Sequence, residues 1–185
     1  MKLQSALHFS HTLLDQVVKP GDNVIDATAG MGNDTLKLAQ LVGPNGHVYS
    51  FDIQKTAVTA TKAKLAAAGY QNATIVQLGH EQLDQVVRVP IKSAIFNLGY
   101  LPNGDHHVIT HPETTITALE KCLDLLETLG LVIVICYYGH PGGEAEKSQV
   151  LDWVTHLPQR KFNVLQYQFL NQVHQPPFLL AIQKR

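Results

Sequence analysis

The sequence has only two cysteines, Cys122 and Cys136, and no excess of either charge. Both cysteines sit in apolar segments without any C-x-x-C spacing, which favours buried free thiols in a reducing compartment over a disulfide or a zinc site. Fourteen Lys and Arg against 15 Asp and Glu leave a net charge of −1, so a global electrostatic footprint of a nucleic-acid binder is missing and any RNA contact has to be local. No apolar run reaches the ~18 residues of a membrane helix, and the first residues lack the uninterrupted apolar core of a signal peptide. A soluble, unprocessed cytoplasmic protein without membrane association is expected. Metal-ligand spacing is absent too. Among the ten histidines, His8 and His11 stand three apart and His106 and His107 are adjacent, but none has a carboxylate or cysteine at zinc-like spacing, so no metal is expected.

What is present is a core for one domain: 185 residues, 45% of them hydrophobic, with no linker, repeat or low-complexity tract, read as a single domain over 1–185. The most informative stretch is Asn23 to Thr35, N-V-I-D-A-T-A-G-M-G-N-D-T. A short apolar run, small residues after Asp26, and the helical pattern Leu36, Leu38, Ala39, Leu41 make strand, tight glycine turn and helix. Gly30 and Gly32 permit backbone angles closed to other residues, and the next helix points free N–H groups at whatever lies there. Such a turn cradles a nucleotide or cofactor, or else is only a sharp βα reversal. A second feature favours the cradle: the strand-like run His47 to Phe51 ends in Asp52, twenty residues after Gly32, where a ribose-binding carboxylate sits at the tip of a neighbouring strand.

Strand and helix alternate through the rest. After an N-terminal helical segment over 3–18, the pattern predicts strand 23–27, helix 33–42, strand 47–52, helix 55–68, strand 74–78, a short helix 81–86, strand 93–98 and helix 112–127. The run Leu131 to Cys136 is apolar throughout, as in a strand buried on both faces. A helix over 144–156 and strands 163–169 and 178–183 follow, and the short connection between those strands suits an antiparallel hairpin. The result is an α/β fold, a doubly wound, mostly parallel sheet with helices on both faces and an antiparallel C-terminal hairpin.

That hairpin, and the lack of the third glycine of the dinucleotide fingerprint in Gly30-Met31-Gly32-Asn33-Asp34-Thr35, argue against a dinucleotide-binding enzyme. The chain resembles a Rossmann-like class I methyltransferase that uses S-adenosylmethionine (SAM), with D-A-T-A-G-M-G as its first motif. More closely, D-A-T-A-G-x-G-x-D-T, F-D-I-Q at 51–54, F-N-L-G-Y-L-P at 96–102 and N-Q-x-x-x-P-P at 171–177 resemble the small bacterial rRNA methylases, a family that includes the tRNA methyltransferase MnmM. The match covers essentially the whole chain. It implies SAM as cofactor and methylation of an aminomethyl group on a wobble uridine, 5-aminomethyl-2-thiouridine, with the tRNA anticodon region as partner. A small-molecule amine or hydroxyl, or rRNA, are the alternative substrates. Family members often carry Asn and His where this chain has Met31 and Asn33. The oligomeric state, a homodimer included, stays open.

A SAM site needs a carboxylate for the ribose, main-chain groups near the methionyl part and an apolar slot for adenine. Asp52 is the ribose candidate, Gly30 and Gly32 offer close main-chain approach, Asp26 lies below the turn, and Ile53 is placed to cover an adenine face. His80, after the third strand, faces either adenine or substrate, or is an ordinary loop histidine. Thr28, Asn33 and Asp34 either contact the methionyl end or cap the helix, capping being expected of at least one. The fourth strand delivers Asn97-Leu98-Gly99-Tyr100 to the same edge, a placement that resembles the N-P-P-Y motifs of amino-methylating enzymes. That resemblance implies catalytic roles for Asn97, orienting the target nitrogen, and Tyr100, walling the pocket, with Asn97 also beside the cofactor. Asp105, His106, His107 and Glu113 are the proton-acceptor candidates. In the family the N-terminal segment crosses the cofactor mouth, which makes His11 a candidate for contact with SAM or substrate, or else a helix-surface histidine. Tyr137 and Tyr138, in the loop after the fifth strand, either stack on a base as substrate contacts or are buried at the strand end. The basic pairs Arg160-Lys161 and Lys184-Arg185 read as solvated surface.

Overall fold

Seven strands form one sheet in the order β3-β2-β1-β4-β5-β7-β6, described here from a computed structural model that covers residues 2–99 and 109–185. The chain runs α1 (Ala6–Val17), β1 (Asn23–Asp26), α2 (Asn33–Val42), β2 (His47–Asp52), α3 (Lys55–Ala67) and β3 (Ala73–Gln77). A 3₁₀ helix, His80–Gln85, leads to β4 (Ile91–Leu98), α4 (Pro112–Leu125), β5 (Leu126–Cys136), α5 (Gly143–Thr155), β6 (Phe162–Tyr167) and β7 (Phe178–Lys184). The first five strands are mutually parallel, and β7 pairs antiparallel with both β5 and β6. The expected architecture is present, and no described helix is long and apolar enough to cross a membrane.

Alternating side chains of the central strands feed two cores, one on each face of the sheet. Val132 and Val134 point with Ile25, Phe96 and Leu180 into the layer covered by α4 and α5, whereas Ile133 and Ile135 join Val24, Val48 and Leu179 beneath α1, α2 and α3. Burial on both faces is why β5 reads as an unbroken apolar run. On α1, Ala6, Ser10 and Leu14 recur every fourth residue and form the buried face, and the Ser5 hydroxyl accepts the His8 N–H at its start.

Several element boundaries shift from the sequence pattern, and three of the shifts bear on packing. The short helix after β3 is 3₁₀ in geometry and begins at His80. The helix expected to reach Glu127 stops at Leu125, where the Lys184 ammonium donates to the carbonyls of Leu123 and Leu126 and so satisfies the helix end. Lys184 is therefore a capping residue rather than solvated surface. Strand β5 starts at Leu126 instead of Leu131, because the chain enters the sheet early and absorbs the surplus in an irregularity between the Ile91 and Ser93 pairings, with Leu129 at φ 60°.

Because β1, β2, β4 and β5 run in one direction, Asp26, Asp52, Leu98 and Cys136 all end on one edge. Strand order reverses between β1 and β4, the crevice where ligands bind in open α/β sheets.

Candidate active site

The turn from Ala27 to Gly32 is held from behind. Asp26 is fully buried, its carboxylate accepting the Thr28 N–H at 3.2 Å and the Thr35 hydroxyl at 2.5 Å, and Thr35 is in turn 2.9 Å from the Ser50 hydroxyl. Burial, with the Asp34 charge second, pushes the Asp26 carboxyl up to about 7. Asp26 therefore braces the turn and does not line the cavity, a correction to its expected cofactor contact. Gly32 also serves packing: at φ 75° it opens α2, and a Cβ there would stand 2.9 Å from the Thr61 Cα on α3. Only Gly30 of the two glycines lines the cavity. Its N–H donates to Asp52 at 2.9 Å, and its carbonyl accepts the Thr61 hydroxyl.

The cavity above this turn encloses about 470 Å³. Asp52 stands on one wall with its other oxygen accepting the Gln54 N–H at 2.9 Å. A carboxylate offers about four acceptor positions, so two remain for a ligand. Half-exposed Ile53 lies beside it, and Leu78 and Gly79 continue that wall. His80 closes the floor, buried, its Nδ1 3.2 Å from the Ala27 carbonyl and its ring edge-on to Phe96. Desolvation holds its pKa below the ordinary histidine value. In the neutral ring the proton sits on Nδ1, facing the carbonyl, which leaves Nε2 an acceptor.

The opposite wall is a polar cluster. Asn97 donates its main-chain N–H to the Thr28 hydroxyl at 2.8 Å and its side-chain Nδ2 to Asp34 Oδ2 at 2.7 Å. The other Asp34 oxygen is 2.7 Å from His11 Nε2, brought in by α1. An ionised carboxylate only accepts, so the Asn97 amide has one possible orientation, and its Oδ1 accepts no hydrogen bond from the described residues. Tyr137, leaving β5, lines the same region, its phenol raised above the ordinary value by burial and then by the Asp34 charge.

Thr28, Asn33 and Asp34 all line the cavity, and none caps α2: the N-cap is Gly32, which has no side-chain bond. Thr28 is taken by Asn97, Asp34 by Asn97 and His11, and Asn33 by the Lys64 ammonium. The capping expectation is thus replaced by cross-links between elements. Tyr138 is likewise removed from the site. Successive residues at a strand end point to opposite faces, so Tyr137 reaches the cavity while Tyr138 is buried against Phe178, with the Lys147 ammonium 4.2 Å above its ring. Tyr100, Asp105, His106 and His107 lie outside the described residues, and Glu113 is not among the residues lining the cavity.

Thr110, His111 and Thr114, which do line it, were not singled out from the sequence. The available signal was positional: His111 immediately precedes Pro112, the first residue of α4, at the edge where the other strand ends gather.

The family model described as "Putative rRNA methylase" matches residues 48–183. The chain belongs to this family. A second model, the ubiE/COQ5 methyltransferase family, matches residues 7–88. A chloroplastic tRNA (mnm(5)s(2)U34)-methyltransferase from Arabidopsis thaliana is 34% identical, over 98% of this chain and 70% of its own length. The crystal structure of a putative rRNA methylase from Clostridium thermocellum superposes with a TM-score of 0.99 at 44% identity, each chain covered completely. A putative methyltransferase from Streptococcus mutans, solved in complex with SAH, gives a TM-score of 0.92 at 42% identity, again over the whole of both chains. As a member of this family, the chain is a SAM-dependent methyltransferase. The cavity is compatible with that cofactor, since Asp52 retains acceptor positions beside an apolar wall and Gly30 exposes main chain at the turn.

Proposed function

We propose that this methyltransferase acts on RNA, and on the exocyclic aminomethyl nitrogen of 5-aminomethyl-2-thiouridine at the wobble position of tRNA. The observation that carries this reading is the Asn97 amide, locked by Asp34 with its oxygen, on a cavity wall, unpartnered among the described residues. A primary amine presents N–H donors, and an oriented acceptor aims the nitrogen lone pair away from itself. The relative that methylates such a tRNA nucleoside supports the same substrate.

In this reading SAM supplies an electrophilic methyl group when bound. Asp52 accepts the ribose hydroxyls, Ile53 and His80 flank the adenine, and Gly30, Asn33 and Asp34 surround the methionyl end. Asn97 orients the amine and Thr28 holds the Asn97 main chain, while Tyr137 walls the substrate side and His11 stands at the mouth. Tyr100 keeps the catalytic role that its motif implies. The described residues lining the cavity include no lysine or arginine, so attraction of the RNA backbone falls to surface outside it.

The test incubates the protein with labelled SAM and total tRNA from a strain lacking it, then maps the product nucleoside by mass spectrometry. Label in 5-methylaminomethyl-2-thiouridine is expected. Label confined to rRNA, or to added small amines or hydroxyl compounds, would replace the tRNA reading.

A further inference from the structure

An alkylammonium cannot attack a methyl group until it has lost a proton, so an amine methyltransferase that binds its substrate charged needs an acceptor beside the amide that orients the nitrogen. The described cavity wall offers one arrangement of that kind. Asp34 is nearly buried, with 10% of its side chain exposed, and its two oxygens reach opposite neighbours: Asn97 Nδ2 at 2.7 Å and His11 Nε2 at 2.7 Å. One carboxylate therefore sets both the amide and the imidazole. Because Asp34 only accepts, the His11 proton is on Nε2, and in the neutral ring Nδ1 carries a bare lone pair. Nδ1 has no hydrogen-bond partner among the described residues, and the His11 side chain is 31% exposed on the cavity wall.

We infer that His11 is the proton acceptor of the reaction and Asp34 its positioning residue, an assignment that rests on the amine substrate proposed above. Nδ1 takes one proton from the substrate ammonium, leaving a neutral amine whose lone pair is free and an imidazolium whose Nε2–H stays on Asp34. The Asp34 charge offsets the charge gained by the ring. After methyl transfer the product nitrogen is again a four-bonded cation, and His11 returns its proton to water, so each turnover releases one proton.

The groups around His11 leave this role open to it. On α1, His8 is bonded to the Ser5 hydroxyl and Asp15 is paired with Lys37 of α2. From the end of β5, the Tyr137 phenol is biased towards its neutral, protonated form by burial and by Asp34. His80, Asp52, Glu81 and His111 also line the cavity, and the first two are already bonded to the main chain of the cofactor turn. Glu113, one of the acceptors suggested by sequence order, does not line it.

The test combines turnover with a direct view of the ring. Wild type, His11→Ala, His11→Asn and Asp34→Asn are compared for SAM affinity by calorimetry and for single-turnover methylation of tRNA from cells lacking the enzyme, across pH and with added imidazole. The ¹⁵N shifts of His11 are recorded without cofactor. Support would be a rate roughly 100-fold lower in both His11 variants at neutral pH, SAM affinity within a few-fold of wild type, and recovery with imidazole or at alkaline pH, where the amine deprotonates unaided. The ¹⁵N spectrum should show the Nε2–H tautomer, lost in Asp34→Asn. Retained rate in the His11 variants, a fall in rate that neither imidazole nor high pH reverses, or an Nδ1–H tautomer would overturn the assignment. If wild type itself methylates no tRNA amine, the substrate reading fails and the acceptor role falls with it.

Discussion

The side-chain amide of Asn97 donates to Asp34 at 2.7 Å, across 63 residues of sequence, and this one bond decides which end of the amide is left for a ligand. If Asn97 orients an amine, Asn97→Ala should leave SAM affinity within a few-fold while lowering single-turnover rate by ~100-fold or more, since lost alignment acts on the transition state. Rate, SAM affinity and melting temperature measured on one preparation decide the matter. A joint fall in all three would make Asn97 a structural residue that merely ties β4 to α2.

Asp52 is braced by the N–H groups of Gly30 and Gln54. Asp52→Ala should weaken SAM by ~1–3 kcal/mol, the scale of losing hydrogen bonds to a charged acceptor. Titration calorimetry that returns the wild-type affinity would remove Asp52 from the cofactor site.

Asp26 should give stability a pH dependence of identifiable sign. Its carboxyl is raised from 3.8 to about 7 in the folded chain, so between those values the native state holds a proton that the unfolded state has released. The contribution is complete below the unfolded value and is lost as pH rises through about 7, with a slope of at most ~1.4 kcal/mol per pH unit. Denaturant melts at several pH values should show Asp26→Asn without this component. An identical slope in wild type and variant would contradict the assignment.

Gly32→Ala should destabilise the fold by roughly 1–3 kcal/mol, the scale of a non-glycine residue forced into a sparsely populated backbone region. The strain comes from φ 75° and from a Cβ set against α3 main chain, which cannot swing away as a side chain would. Thermal melting checks this, and an unchanged melting temperature would mean that the α2–α3 contact yields at no cost.

Much of this molecule was readable from neighbouring residues. The period-two and period-3.6 patterns located the strands and helices, and parallel strands joined by helices require that Asp26, Asp52 and Asn97 reach the same edge, whatever the details of packing. Boundaries slipped where long-range partners intervened: α4 ends where Lys184, nearly sixty residues on, takes its last carbonyls. Adjacent tyrosines at 137 and 138 read alike until strand alternation sent one to the cavity and the other to the core.

The sequence alone determined the sheet, the glycine turn and the family, because local periodicity and short motifs depend on residues close in the chain. Tertiary structure alone decided what each polar residue does. Asp26 accepts from Thr28 and Thr35 instead of lining the cavity, Gly32 makes room for Thr61, and Asp34 joins His11 of α1 to Asn97 of β4. A carboxylate's role is set by which donors surround it, and here those donors come from elements that meet only when the sheet and its helices have packed.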